Sequence, residues 1–369
     1  MKYVVFINLF SLFLIGCTDK TVLRESAILE NVQPLPGKHC ESSAIVNALN
    51  YQGYHIDEIL LTGAGAAPSY IYDKGPFPFL GGRSLNMREV AFSNLGINWS
   101  VRTPGNKDSH WDEILELLKN DTPVVLRVDM RYLPYLWDGK YGSKYTSFGW
   151  HMITLFGINH ENNVAYVTDT EMSGLQEIKL EDLTKARGSN TKTFPPENEY
   201  FWIEKAPENF SFDLEEVVFH SIDQYIDNMN SGINPLTGLK GISQLPSEIE
   251  NIETYVKSYM LAPVFEFMSG SIETNGTGGG FFRKFYSDFL FRASRELDKE
   301  DLETAAELAL DCAQSWTDLS KEFKSLSADI FSIKDKEKRK ERYSQAIVIS
   351  QQIFNKEQLF LTHLMSIRR

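Results

Sequence analysis

"WHMITLFGINHENNVAYVTDTE", residues 150–171, holds two apolar runs on either side of a polar turn. Both runs are rich in β-branched and aromatic residues and are bounded by turn formers, the pattern of two strands folded back as a hairpin. A turn centred near Glu161 makes His151 face Asp169 across the hairpin, or nearly so. Side chains opposite one another in such a pair lie roughly 5 Å apart. A carboxylate at that distance can hold an imidazole in one tautomer, the service an orienting residue gives a catalytic base.

Upstream, "PGKHCESSAIVNALNYQG" (36–53) reads as a helix over 41–52, with Ala44, Ile45, Ala48 and Leu49 as its apolar stripe and Gly53 as its stop. Cys40 falls in the first turn, where free amide groups and the helix dipole favour a thiolate. Three roles are open to it: nucleophile, buried apolar residue, or half of a disulfide. Cys312, in "ETAAELALDCAQSW", shares helical spacing with Ala305 and Leu308 and reads as a small buried hydrophobe. Two such distant cysteines make no disulfide framework. His39 adjoins Cys40, but neighbouring side chains diverge, so it is not the expected base. His55, His110, His160, His220 and His363 stand in polar or turn contexts and are expected at the surface. The order Cys40, His151, Asp169 sets a thiol on a helix start and a base and its orienter on paired strands. That is the papain-like order, with a carboxylate where papain has asparagine. One cysteine among scattered histidines gives no metal-ligand spacing, so neither metal nor other cofactor is expected.

The chain opens "MKYVVFINLFSLFLIGCTDK". A lysine and a short apolar run ending in Leu14-Ile15-Gly16-Cys17 resemble a bacterial lipobox, in which the cysteine thiol is acylated and the preceding residues are removed. Residues 1–16 are therefore expected to be a lipoprotein signal peptide and Cys17 a lipidation site. The protein is then expected in the cell envelope, lipid-anchored to a membrane and facing away from the cytoplasm. The alternatives are an ordinary signal peptide with a chance cysteine, or an uncut anchor. With 369 residues and a net charge of −13, two domains are expected, and nucleic acid is an improbable partner because no basic footprint exists.

Residues 17–36 read as a tether. From 37 to 208 the texture is mixed: a Gly-rich stretch at 60–84, a helix at 111–119, a strand at 122–130 and the hairpin. From 211 to 369 strand-like runs thin out, and segments 283–296, 299–315 and 334–365 repeat apolar residues at helical spacing. The expected class is α+β followed by a mainly α-helical domain. "KDKEKRKERYSQ" (334–345) reads as a solvated helix face. The glycines of "ETNGTGGGFFRKFYSDFL" (273–290) precede a helix, where an anion can bind. They lack the Lys-Ser end of a phosphate loop, which argues against a nucleotide. Arg283, just after them, is expected either to meet an acidic group or to form an ordinary surface ion pair.

Several ordered segments resemble the butirosin-biosynthesis H family, a papain-like cysteine domain with a helical domain behind it. "HCESSAIVNALNYQGY" resembles the family's His-Cys helix, "LTGAGAAPSYIY" and "GGRS" its Gly-rich segment, and "PVVLRVDMRYLPY" its strand and Leu-Pro-Tyr loop. "WHMITLFGINHENNVAYVTDTE" resembles its His/Asp hairpin, and "GTGGGFFRKFYSDFL" its helical domain. The resemblance implies a papain-like cysteine-protease fold and acyl transfer from a thioester to an amine. Cys40 would carry the acyl group, His151 would shuttle protons and Asp169 would orient His151. Gln33 is the candidate second oxyanion donor beside the Cys40 amide. Carrier-protein thioesters are cytoplasmic, so a lipoprotein would draw instead on peptides, amides or ester-linked metabolites.

Three functions are consistent with this reading: a lipid-anchored thiol acyltransferase or amidase, a cysteine peptidase maturing an exported peptide, and a ligand-binding lipoprotein without catalysis. The expected partners are a small-molecule or peptide acyl donor and an acceptor. The loops at 69–79 and 131–150 are expected to wall the groove through Tyr70, Tyr72, Trp137 and Tyr141. Packing between the two domains is the competing role for these rings, and the one expected for Tyr132 and Tyr135.

Overall fold

The computed structural model describes residues 25–105, 109–137, 144–145, 147–192, 194–230 and 236–368. The expected leader, Cys17 and Tyr141 lie outside the described residues. The strands are β1 (Ala27–Ile28), β2 (Pro68–Asp73), β3 (Phe79–Arg83), β4 (Trp99–Arg102), β5 (Val124–Val128), β6 (His151–Asn159), β7 (Val164–Thr168), β8 (Gln176–Lys179) and β9 (Tyr200–Ile203). Five helices stand among them: α1 (Cys40–Tyr51), α2 (Glu58–Ala64), α3 (Met87–Leu95), α4 (Trp111–Lys119) and α5 (Leu180–Arg187). Six follow: α6 (Leu214–Asn230), α7 (Gly238–Glu250), α8 (Leu261–Glu273), α9 (Arg283–Leu297), α10 (Glu300–Asp329) and α11 (Lys336–Ile367). The chain is α+β, as its sequence leads one to expect. Among the described residues no helix is long and apolar enough to cross a membrane.

The main sheet runs β4-β9-β5-β6-β7-β8, with β1 beside the far end of β6 and every pairing antiparallel. Alternation along β5 shows how the sheet is covered. Val124, Leu126 and Val128 face a core containing Ile114, Leu118 and Leu183 of α4 and α5, whereas Val125 faces α1. β6 is buried from His151 through Ile158, a central strand packed on both faces. Thr154 in β6 donates a 2.7 Å hydrogen bond to the Ala44 carbonyl, fixing α1 across the strand.

Three expectations needed correction or refinement. The loop expected at 69–79 instead holds most of β2 and the turn into β3. The β6–β7 register pairs Thr154 with Thr168 and Leu155 with Val167, then shifts to pair Gly157 with Tyr166. One step further that register sets Asp169 beside Ile153, so His151 meets Asp169 diagonally on one face rather than directly across. Tyr70 and Tyr72 do not wall a groove: they are 1 % and 2 % exposed, Tyr70 stacked on Trp316 and Tyr72 hydrogen-bonded to Tyr255 at 2.7 Å.

One apolar core runs from Ile45 and Leu49 of α1 through Ile222, Phe265 and Leu290 to Phe360 of α11. The sheet-bearing and helical halves therefore share their interior. Arg283 is fully buried, paired at 2.7 Å with Glu357, and donates to the Ser69 carbonyl of β2. It meets an acidic group, but one inside the fold, so the surface ion pair is excluded. Glu357 also accepts from Trp316 at 2.7 Å and from Tyr225 at 3.1 Å. Cys312 is buried beside them, and both described cysteines are free thiols.

Candidate active site

α1 begins at a clamped turn. His39 is its N-cap, extended at φ −125°, ψ 134°, with Nδ1 accepting from the Ser42 amide. The Glu58 carboxylate accepts from the Lys38 and His39 amides and from the Ser42 hydroxyl, the last at 2.7 Å. These contacts fix the backbone on either side of Cys40, the first residue of the helix and half-buried. His39 is buried, and burial together with the charges of Arg83 and His151 holds its imidazole well below the ordinary range. A buried ring that is occupied in capping is a helix anchor, consistent with its not serving as the base.

His151 opens β6, and Asp169 is the first residue beyond β7. Nε2 of His151 lies 2.8 Å and 2.9 Å from the two Asp169 carboxylate oxygens. Burial by itself would lower the His151 pKa. The Asp169 charge and hydrogen bond, joined by a hydrogen bond and charge from Cys40, outweigh it and raise the group to about 10. With Nε2 engaged by the carboxylate, Nδ1 is the ring nitrogen left for the sulfur. Asp169 accepts further bonds from the Tyr135 hydroxyl at 3.0 Å and the Thr170 amide at 2.6 Å. Burial first, then the Asp169 carboxylate, pushes the Tyr135 phenol well up, so it acts as a donor.

A charged network begins one residue past the thiol. Glu41, buried, pairs with Arg83 at 2.7 Å and reaches Arg88 at 3.8 Å. Arg88 and Arg127 share Glu199 at 3.4 Å and 2.7 Å, and the Arg127 guanidinium lies over the ring of Trp150, the residue before His151. From the helical half, Gly276 comes close enough that a methyl group there would sit 3.7 Å from His39 Cδ2, and Phe282 meets the His39 ring edge-on at 5.1 Å. That approach needs left-handed backbone at Gly276, Gly278, Gly279 and Gly280, continued at Phe281 and Phe282. The glycines hold a close contact between halves at the cap of α1, which is the use they have here.

Residues 39–170 match the family model described as butirosin biosynthesis protein H, N-terminal, and residues 181–364 match a domain of unknown function, DUF4872. By that match residues 39–170 are similar to the N-terminal domain of butirosin biosynthesis protein H. No curated protein matches it. The N-terminal match opens at the cap residue His39 and closes at Thr170, whose amide holds Asp169, so the H-type segment brackets all three residues of the candidate triad.

Cys40, His151 and Asp169 come together. Gln33 lies exposed in the coil leading to α1, where Asn47 ties Leu35 to the helix by two 2.9 Å bonds. Trp137 is 41 % exposed, two residues beyond Tyr135. None of His55, His110, His160, His220 and His363 is buried. Sequence reading missed Tyr135, whose Leu-Pro-Tyr turn gives no hint of a carboxylate partner, and the capping by His39, an uncommon N-cap. It also missed the Glu41–Arg83–Arg88–Glu199–Arg127 network, whose members are scattered along the chain. A cleft of about 290 Å³ near α1 is walled by Leu35, Gly37, Val46 and Ile56 and does not include Cys40.

Proposed function

We propose that this protein is a thiol acyltransferase or amidase that carries its acyl group as a thioester on Cys40. The observation that carries this reading is the buried, hydrogen-bonded His151–Asp169 pair beside a cysteine at a helix N-terminus. The Cys40 sulfur attacks the acyl carbonyl. Carbonyl electrons move onto oxygen, which the Cys40 amide at the helix start can meet. The intermediate collapses with cleavage of the bond to the leaving group, which takes the proton held on His151. An amine or water then attacks the thioester and gives its proton to His151 as the Cys40 sulfur departs. Asp169 keeps Nε2 engaged throughout and stabilises the imidazolium. The papain-like order of the three residues supports the same mechanism, and a thioester intermediate commits the enzyme to acyl transfer whether amine or water completes it.

The test is capture of the intermediate. Incubation with a simple acyl thioester should add one acyl mass, mapped by peptide sequencing to Cys40 and discharged by added amine or hydroxylamine. Cys40→Ala should gain none, and an adduct that persists in that variant would refute the mechanism. We further propose that Cys17 carries a lipid that tethers the protein to a membrane facing away from the cytoplasm. Leader composition supports this reading, and Cys17→Ser should move the protein from the membrane fraction to the soluble one. Retention in the membrane after leader removal would count against it.

A further inference from the structure

Two aromatic residues in succession, Phe281 and Phe282, hold left-handed backbone at φ +58° and +69°. That conformation is costly for a bulky side chain and persists only where the surroundings impose it. The turn that carries them is closed on itself. The Phe282 amide donates to the Thr277 carbonyl at 3.2 Å, the Thr277 hydroxyl to the Ile272 carbonyl at 2.6 Å, and the Gly280 amide to the Glu273 carboxylate at 2.9 Å. It delivers the buried Phe282 ring from the helical half onto Ala67, Met87 and the imidazole of His39, which it meets edge-on.

His39 caps the helix whose first residue is Cys40, and it can do so only while uncharged. Its Nδ1 accepts from the Ser42 amide at 3.2 Å, which places the ring proton on Nε2. A protonated imidazole has no lone pair to offer that amide. Three charged groups surround His39. Arg83 of β3, paired with Glu41 of α1, and His151 of β6 both repel a charged ring. Glu58 of α2 binds the His39 backbone amide at 3.0 Å and the Ser42 hydroxyl, not the ring. Burial is the larger influence on the ring, ahead of the Arg83 and His151 charges. From the helical half the cover is Phe282 and Gly276, neither of which carries charge.

We propose that Phe282 is a positioning residue for the Cys40 reaction: by covering the His39 ring it keeps the cap of α1 closed, and so keeps the Cys40 sulfur and amide in place, into the acid range. This proposal rests on the Cys40 mechanism above. Without the Phe282 ring, water reaches His39 and its protonation moves up toward the ordinary histidine range. The cap then opens as pH falls through that range, and Cys40 loses the ordered helix start beside His151. The helical half thus acts on the thiol through the cap, without touching the reacting atoms.

The experiment follows iodoacetamide labelling of Cys40 by intact mass in the full chain, and reads the rate at pH 5 as a fraction of the rate at pH 8. In Phe282→Ala that fraction should be about a tenth or less of the native one, an upward move of the acid limb by about one pH unit or more. Asparagine is a strong N-cap that does not titrate, so Phe282→Ala/His39→Asn should recover the native fraction to within about threefold. A cavity that merely loosens the fold would not be cured by changing the cap residue. An acid limb in Phe282→Ala that coincides with the native one, or one that the double variant leaves shifted, overturns the role of Phe282 alone. If Phe282→Ala does not fold, nitrogen-15 spectra of the native histidines decide, with the His39 signal assigned by its loss in His39→Asn. That ring should stay neutral and protonated on Nε2 down to about pH 5, and titration at the ordinary histidine value overturns the proposal. Native labelling no faster than that of an ordinary thiol at every pH overturns the Cys40 mechanism as well.

Discussion

At the residue, the chemistry turns on how His151 is charged. Its folded pKa, near 10, exceeds the ordinary histidine value because the Asp169 carboxylate more than offsets burial. The pair therefore contributes stability that is full below about pH 6.5 and is lost as pH rises through about 10. His39 has the opposite sign. Its folded pKa is depressed, so its contribution is full above about pH 6.5 and is lost as pH falls below that value. In Asp169→Asn the amide can still orient the ring but brings no charge, so the alkaline limb of the acylation rate should move down by about one pH unit or more. The same variant should keep more activity than His151→Ala, which should lose about 10²-fold or more. A pH profile that places the limb of Asp169→Asn where the native protein has it would contradict this account of the pair.

At the element, what could be read from sequence was local. The stripe Ala44-Ile45-Ala48-Leu49 gave α1 to within a residue, and the alternation of apolar and turn residues gave β6 and β7. The charge run at 334–345 opens α11 and is mostly exposed; Arg339 and Tyr343 are buried, and Arg339 is paired bidentately with Glu253 at 2.9 Å and 2.6 Å. The hairpin register was legible only approximately, because the turn lies between Asn159 and Val164, later than direct facing of His151 and Asp169 requires, and a bulge between Leu155 and Gly157 then shifts the pairing by one residue that no turn signal announces. His151 and Asp169 were found despite that error, since a two-residue offset keeps both side chains on one face. Tyr70 and Tyr72 were misjudged for a different reason. Aromatic residues in a Gly-rich stretch look alike whether they wall a cleft or lie under another layer. Here the helices α7 and α10 supply that layer, through the neighbouring Gly241 and Trp316.

At the whole molecule, the helical half shares a core with the sheet-bearing half instead of standing apart from it. Arg283 and Glu357 lie at that junction, each fully buried, tying α9 and α11 to the Ser69 carbonyl of β2. Removing one partner leaves the other's charge buried without compensation, a loss of about 3–5 kcal/mol. Glu357→Gln should therefore lower unfolding stability in denaturant by about that amount, and a change under about 1 kcal/mol would mean that Arg283 finds other compensation. The same junction carries the glycine loop to His39, so packing of the helical half helps to fix the start of α1.

All three scales meet in the claim that Cys40 is activated by His151. The most direct measurement is the rate of alkylation by iodoacetamide at pH 6, followed by intact mass in the native protein and in His151→Ala. An ordinary thiol is almost wholly protonated there and reacts slowly. Fast single labelling at Cys40, slowed about tenfold or more in the variant while buried Cys312 stays unmodified, is the predicted result. Slow labelling at the same rate in both proteins would contradict the claim and leave Cys40 an inert cysteine at the start of a helix.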